Sequence, residues 1–251
     1  MKILFHLGHP AHFHLFKNLI TSLEKQKNDI TIVIKKKDVL EKLLLNSNLD
    51  YINILPKGRK NNLIGLISGQ LLQNIQLLKI CKKNKPDLLV GTSVACAHVS
   101  CLLNIPFINV NEDDASVIPF YSYLSYPFSN VIISPVSCYN SHWEKKSVKY
   151  EGYHELAYLY PNNFSADKNV VEKYFPINKP FFLLRFAELS AHHDRGIKGI
   201  NSKITEKIIS LLKPYGDIYI SSERKLEQKF ESYRLSINPL ELHHLMGFAK
   251  M

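Results

Sequence analysis

Three histidines stand close together near the start of the chain, in Gly8-His9-Pro10-Ala11-His12-Phe13-His14. A histidine so placed can take a proton from a sugar hydroxyl, because imidazole titrates near neutral pH. His9 and His12 are the candidates for that base, and His14 reads as a packing residue. Gly8 permits a tight exit from a strand. Pro10 suits the first turn of a helix, and a helix N-terminus offers backbone amides to an anion. The alternative is that these histidines only cap or pack against the helix. His9, His12 and His14, with His192, His193 and Asp194, are also residue types that a zinc site would use. Against a metal, His12 and His14 differ by two positions and point apart on a helix. No acidic residue follows Pro10 in the loop. No bound metal or cofactor is expected.

A second group is Asn111-Glu112-Asp113-Asp114, after a short apolar run. Glu112 and Asp114 could bind sugar hydroxyls, and Asp113 could act as a base. The competing reading is helix capping, which Asp does well. A third group runs Tyr150-Glu151-Gly152-Tyr153-His154-Glu155-Leu156-Ala157-Tyr158-Leu159. Gly152 suggests a turn, and Tyr153, His154 and Glu155 could face a substrate in an interdomain cleft. The same aromatics could instead form a packing seam. In a fourth segment, residues 185–199, Gly196 and Gly199 flank Lys198 and make a plausible phosphate cradle. It matches neither a Walker motif nor a G-x-G-x-x-G fingerprint, and a flexible basic loop is the alternative. Ser222 and Glu223, at the end of the next apolar run, could contribute. There is no G-x-S-x-G elbow and no Cys/His nucleophile pair.

The elements that would carry these groups alternate along the first half. Strands are predicted over 2–7, 29–34, 51–55, 88–90, 106–110 and 130–134, with helices over 11–27, 39–46, 61–83 and 91–103. Phe13, Phe16, Leu19, Ile20 and Leu23 fall at helical spacing in the first helix. Such alternation predicts βαβ crossovers and an α/β fold whose parallel sheet is covered on both faces. In a Rossmann-like doubly wound layer, ligands sit at the carboxyl ends of the strands. Loops 8–14, 91–93 and 111–116 should therefore matter most. Periodicity fades between about 135 and 165. A second α/β unit then follows, with strands over 181–185 and 217–221 and helices over 202–212 and 240–250. The expected domains are 1–160 and 165–251. The second is expected to be incomplete, because the chain stops inside an apparent helix. Residues 118–128, aromatic and nearly uncharged, read as a buried loop helix or as a surface that touches lipid.

The composition sets limits on these readings. The 251 residues are 45% hydrophobic and 22% charged, which excludes a disordered chain. No run is long enough for a membrane span or a signal peptide. Cys81, Cys96, Cys101 and Cys138 show no metal-type pairs or disulfide framework, so a cytoplasmic setting is expected, with peripheral contact at the inner face of the membrane as an addition. The net charge is +10, yet the basic residues are mostly Lys, with Arg only at Arg59, Arg185, Arg195, Arg224 and Arg234. Arg is the preferred base reader, so a nucleic-acid partner is not expected. A phosphorylated sugar or an anionic membrane surface fits better.

The segments GHPAHFH (8–14), YEGYHELAYL (150–159), LLRF (183–186), AHHDRGIKG (191–199), ISSE (220–223) and LHHLMGFAKM (242–251) together resemble domain-of-unknown-function family 354 along essentially the whole chain. That family is grouped with GT-B glycosyltransferases and the non-hydrolysing UDP-N-acetylglucosamine 2-epimerases. The resemblance implies two Rossmann-like domains, the first on the acceptor side and the second on the nucleotide-sugar side. Gly8, Pro10, Glu112, Asp114, Tyr153, His154 and Glu155 would then serve the acceptor, with His9, His12 and Asp113 catalytic. Arg185, His192, His193, Gly196, Lys198, Gly199, Ser222 and Glu223 would serve the donor. Two departures stand out. Relatives usually carry Asp where this chain has His6, and they continue past the helix at 240–250 into the region that grips the diphosphate. The expectation is a glycosyltransferase of cell-surface polysaccharide assembly, using a nucleotide-sugar, UDP-linked, and a sugar or lipid-linked acceptor. The chain as given is expected to be truncated and inactive alone. The alternatives are a UDP-sugar 2-epimerase or hydrolase, and a non-catalytic module that binds a sugar or a partner chain.

Overall fold

A computed structural model describes residues 1–37, 39–58, 62–186, 199–222 and 224–250. The chain divides into two compact units, Met1–Asn163 and Phe164–Met251.

The first unit is built on β1 (Lys2–Leu7), α1 (Pro10–Lys25), β2 (Asp29–Lys35), α2 (Leu40–Asn46), β3 (Ile52–Leu55), α3 (Leu63–Asn84), β4 (Leu88–Gly91), α4 (Val94–Leu103), β5 (Phe107–Val110), α5 (Pro119–Ser125), β6 (Val131–Pro135), β7 (Ser147–Tyr150) and α6 (Leu156–Leu159). Its seven strands form one parallel sheet in the order β3-β2-β1-β4-β5-β6-β7. The order reverses between β1 and β4, which leaves a crevice at their carboxyl ends.

Neighbouring residues of β1 show how the sheet is covered, since successive side chains of a strand point to opposite faces. Leu4 packs with Leu77 and Cys81 of α3 and with Ala95, Cys96 and Val99 of α4. Phe5 meets Phe16 of α1, ring centroids 5.4 Å apart. Strand β1 is buried from Ile3 to Leu7, as a strand enclosed on both faces must be. Helix ends follow local chemistry. Asn62 and Ser93 cap α3 and α4 with side-chain oxygens, and Lys85 and Asn104 close them in the left-handed region. Among the described residues, no helix is long and apolar enough to cross a membrane.

Several elements depart from the sequence pattern, among them β7, the last helix and the short helix α6, which has no counterpart there. Strand β7 carries no signal there, because a four-residue edge strand after a 3-10 turn shows little alternation. The helix expected over 240–250 is instead a 3-10 turn, Pro239–Glu241, followed by seven helical residues.

The second unit holds α7 (Lys168–Glu172), β8 (Phe181–Phe186), α8 (Ser202–Leu212), β9 (Asp217–Ser222) and α9 (Leu242–Phe248). Its two strands pair in parallel, Phe181 against Asp217 through Phe186 against Ser222. One core gathers Phe182, Leu184, Ile209, Ile218 and Ile220, and another gathers Val171, Phe181 and Leu245.

Candidate active site

The chain leaves β1 at Leu7 and turns at Gly8 into α1. His9 is the N-cap of that helix in extended conformation, and its Nδ1 accepts the Ala11 N–H at 3.2 Å. The Gly8 N–H donates to His12 Nδ1 at 3.1 Å. The His12 N–H donates to the His9 carbonyl at 3.0 Å, and Pro10 has no N–H to offer. The first amides of α1 are thus taken by the loop's own groups. Both histidines accept at Nδ1, so in the neutral ring the proton sits on Nε2. They are hydrogen-bond donors at that atom. Their rings lie 6.1 Å apart.

Basic side chains gather at this turn. A Cβ at Gly8 would stand 3.2 Å from Cε of Lys35, at the end of β2. Burial pushes the His12 pKa well below its usual value, and the charges of His9, Lys35, His6 and His154 push it the same way. His6, one residue before the end of β1, is only 2% exposed. Neither of its ring nitrogens has a hydrogen-bond partner. Burial, and then the Lys35 charge, lowers its pKa to about 3. His6 pairs with Gly91 across the β1–β4 switch, where the backbone φ is +145° and a Cβ would meet the His6 carbonyl oxygen at 2.5 Å. Only glycine fits there.

The acidic loop after β5 splits its members. Glu112 Oε2 lies 3.2 Å from His154 Nδ1. That hydrogen bond holds the Glu112 carboxyl below its ordinary pKa. Asp114 accepts the Tyr139 N–H at 2.6 Å, a loop-tying role. Asp113 is exposed, and its carbonyl accepts from the Asn111 side chain at 3.0 Å.

Residues 150–159 reach the same place through packing. Gly152, at φ +123°, turns the chain after β7, and a Cβ there would stand 2.7 Å from Leu156 Cδ1. Helix α6 lies along α1, where the Asn18 side chain donates to the Ala157 carbonyl at 3.0 Å and His14 meets the Tyr158 ring at 5.2 Å. His154 is thereby set beside Glu112, with Tyr150 stacked on its ring, 6.3 Å apart and within 9° of parallel. Its Nε2 is buried and has no partner, and the same holds for the Tyr150 hydroxyl. Burial, with Glu112 next, raises the Tyr150 pKa to about 12. Glu155 adds to the negative field at Tyr150 and Tyr158, while Tyr153 is exposed.

Gly8, His9, Pro10, His12, Glu112, His154 and Glu155 are thus brought together. Asp114 is turned to a structural bond, and Tyr153 faces solvent. Residue types and spacing do not single out Lys35 or Tyr150. Their signal is position, at the carboxyl ends of β2 and β7.

In the second unit, Arg185 and Ser222 stand at the carboxyl ends of adjacent strands, Arg185 opposite Ser221. The Ser222 hydroxyl donates to the Arg224 carbonyl at 2.7 Å. Arg224 lies over the Phe186 ring at 5.1 Å and donates to the Ile200 carbonyl, beside Gly199. The candidates His192, His193, Gly196, Lys198 and Glu223, and Asp194, lie outside the described residues. Among the described residues no group of three or more His, Cys, Asp or Glu could hold a metal ion. Clefts of about 430 and 560 Å³ lie elsewhere, by the amino end of β9 and along the amino half of α3.

The fold is GT-B-like α/β, and solved structures share it. The chain is similar to UDP-GlcNAc 2-epimerase from Neisseria meningitidis, solved bound to UDP-GlcNAc, with a TM-score of 0.67 and 17% identity over 99% of this chain and 76% of that one. UDP-GlcNAc 2-epimerase from Methanocaldococcus jannaschii gives 0.61 and 20%, covering 99% and 68%. The spinosyn rhamnosyltransferase SpnG gives 0.59 and 14%, covering 100% and 73%. No curated protein matches the sequence. The chain belongs to the family "Protein of unknown function (DUF354)", whose sequence profile matches residues 1–242.

Proposed function

We propose that the chain is part of a nucleotide-sugar enzyme, a glycosyltransferase of cell-surface polysaccharide assembly that acts by direct displacement. The observation that carries this reading is the Glu112–His154 pair at the carboxyl edge of the sheet. An ionised Glu112 accepts a hydrogen bond from the Nδ1–H of His154 and leaves the Nε2 lone pair free. His9 and His12 have the opposite tautomer, so the proton acceptor is His154 rather than either of them. Its buried, unpartnered Nε2 is where an acceptor hydroxyl would complete the missing bond. His12, kept neutral, would donate from Nε2 to a sugar oxygen. Lys35, beside Gly8 at the end of β2, would offset negative charge that develops on the departing group. The donor is UDP-linked by likeness to relatives of the same fold, and the acceptor is a sugar or a lipid-linked sugar.

An epimerase needs acid and base groups on both faces of the sugar ring. Asp114 is committed to Tyr139 and Glu112 to His154, which favours transfer. The deciding experiment incubates the whole enzyme, of which this chain is a part, with UDP-sugars in D₂O. Acceptor-dependent UDP release without deuterium at the sugar C2, abolished in His154→Gln, is the expected result. Deuterium at C2 would make it an epimerase. Sugar binding with neither reaction would make it a non-catalytic module.

A further inference from the structure

On α3, Ile64, Ile67, Leu71 and Ile75 recur at helical spacing, yet all four are exposed, Ile64 to 76% and Ile67 to 62%. The buried side of α3 is a different stripe, Gly69, Gln73, Leu77 and Cys81. A helix with two apolar stripes and only one of them covered has an unmet face. That face does not end at α3. Asn74 of α3 bonds His98 of α4 at 3.0 Å, His98 bonds the Leu124 carbonyl of α5 at 3.1 Å, and the His98 ring meets Phe128 at 5.5 Å. Beyond that bridge lie Phe120, 82% exposed, Tyr123 and Leu124. The exposed apolar residues of α3 and of α5 are therefore joined across α4 through Asn74 and His98.

Charge identifies the occupant. Helices α3, α4 and α5 contain no Asp or Glu, and α3 ends in Lys79, Lys82 and Lys83. Lys82 continues the exposed stripe seven residues after Ile75. A second copy of the chain would set like charges against each other, whereas an anionic lipid surface would pair them with its headgroups. We propose that the α3–α4–α5 face is a peripheral docking surface for an anionic membrane, with Ile64, Ile67, Leu71 and Phe120 entering the headgroup layer and Lys82 and Lys83 contacting its charge. The inference does not depend on which sugar chemistry the protein performs.

The test is co-sedimentation of the full chain with vesicles of phosphatidylglycerol and phosphatidylcholine, against vesicles of phosphatidylcholine alone. Binding should require phosphatidylglycerol and weaken as salt is raised. Ile67→Ser with Leu71→Ser should abolish it, with circular dichroism and Trp143 fluorescence unchanged. Lys82→Gln and Lys83→Gln should each weaken it about fivefold, the worth of one lysine at such a surface. The lysine variants keep the test open if the apolar one misfolds. Absence of binding by the wild type, or binding unaffected by these changes, overturns the proposal. So does a dimer in sedimentation velocity that Ile67→Ser with Leu71→Ser disrupts while lipid is ignored, since the face then belongs to a second copy.

Discussion

His6 makes the stability of the first unit depend on pH in a way that can be calculated. In the unfolded chain its imidazole titrates near 6.5, and in the folded protein at about 3. Between these values the unfolded state binds the proton and the folded state does not, so stability falls as the pH is lowered through this window and is fully present above it. Each tenfold difference in proton affinity between the two states is worth about 1.4 kcal/mol. Moving from about pH 7.5 to about pH 5 should therefore remove about 2 kcal/mol through His6 alone. His12, whose pKa is lowered too, adds in the same direction. The perturbation is His6→Leu, which removes the titration and also two buried nitrogens with no partner. An unsatisfied buried polar group costs about 1–3 kcal/mol, so the variant should be as stable as wild type or more so near neutral pH. Urea unfolding at both pH values, followed by Trp143 fluorescence, is the assay. Trp143 is the chain's single tryptophan and lies in the first unit. The variant should lose about 2 kcal/mol less than wild type on acidification, equivalent to about 4–8 °C in Tm for a unit of this size. Parallel losses in the two proteins would refute the reasoning, and the acid sensitivity would then reside elsewhere.

Other outcomes follow from the same geometry. His154→Gln should lower kcat about a hundredfold or more with nucleotide-sugar binding retained, as loss of a general base does, and steady-state kinetics against isothermal titration would separate the two. Glu112→Gln should also lower kcat by about a hundredfold or more, because it orients the ring, whereas Asp113→Ala should cost little; the reverse ranking would favour epimerase chemistry. Gly152→Ala should destabilise the first unit by about 1–3 kcal/mol, since φ +123° and the Leu156 contact both oppose a Cβ; a thermal melt unchanged from wild type would contradict this. At neutral pH a thiol reagent should label Cys101 first, because Cys101 is exposed while burial raises the thiol pKa of Cys96 and takes that of Cys81 up to about 12. Mass spectrometry of the labelled peptides would show the order.

The sequence by itself determined most of the first unit. Short, mostly apolar runs such as Ile3–Leu7, alternating with helical spacing in α1 and α3, admit little besides a parallel sheet covered on both faces. It also marked the loops at 8–14 and 111–114, because chemistry in such a sheet gathers where strands end. The tertiary structure decided what each residue there bonds to. That His9 and His12 accept backbone amides at Nδ1, and so carry the proton on Nε2, depends on where Gly8 and Ala11 lie in space. That Glu112 serves His154, 42 positions along the chain, while Asp114 ties down Tyr139, depends on the packing of α6 against α1. The exposed stripe on α3 shows the same limit. Its apolar spacing reads as a core-facing helix, and only the fold reveals that Gly69, Gln73, Leu77 and Cys81 take the core side and leave Ile64, Ile67 and Leu71 outside. Periodicity records which residues share a face, but which face meets the sheet is settled only when the neighbouring elements are in place.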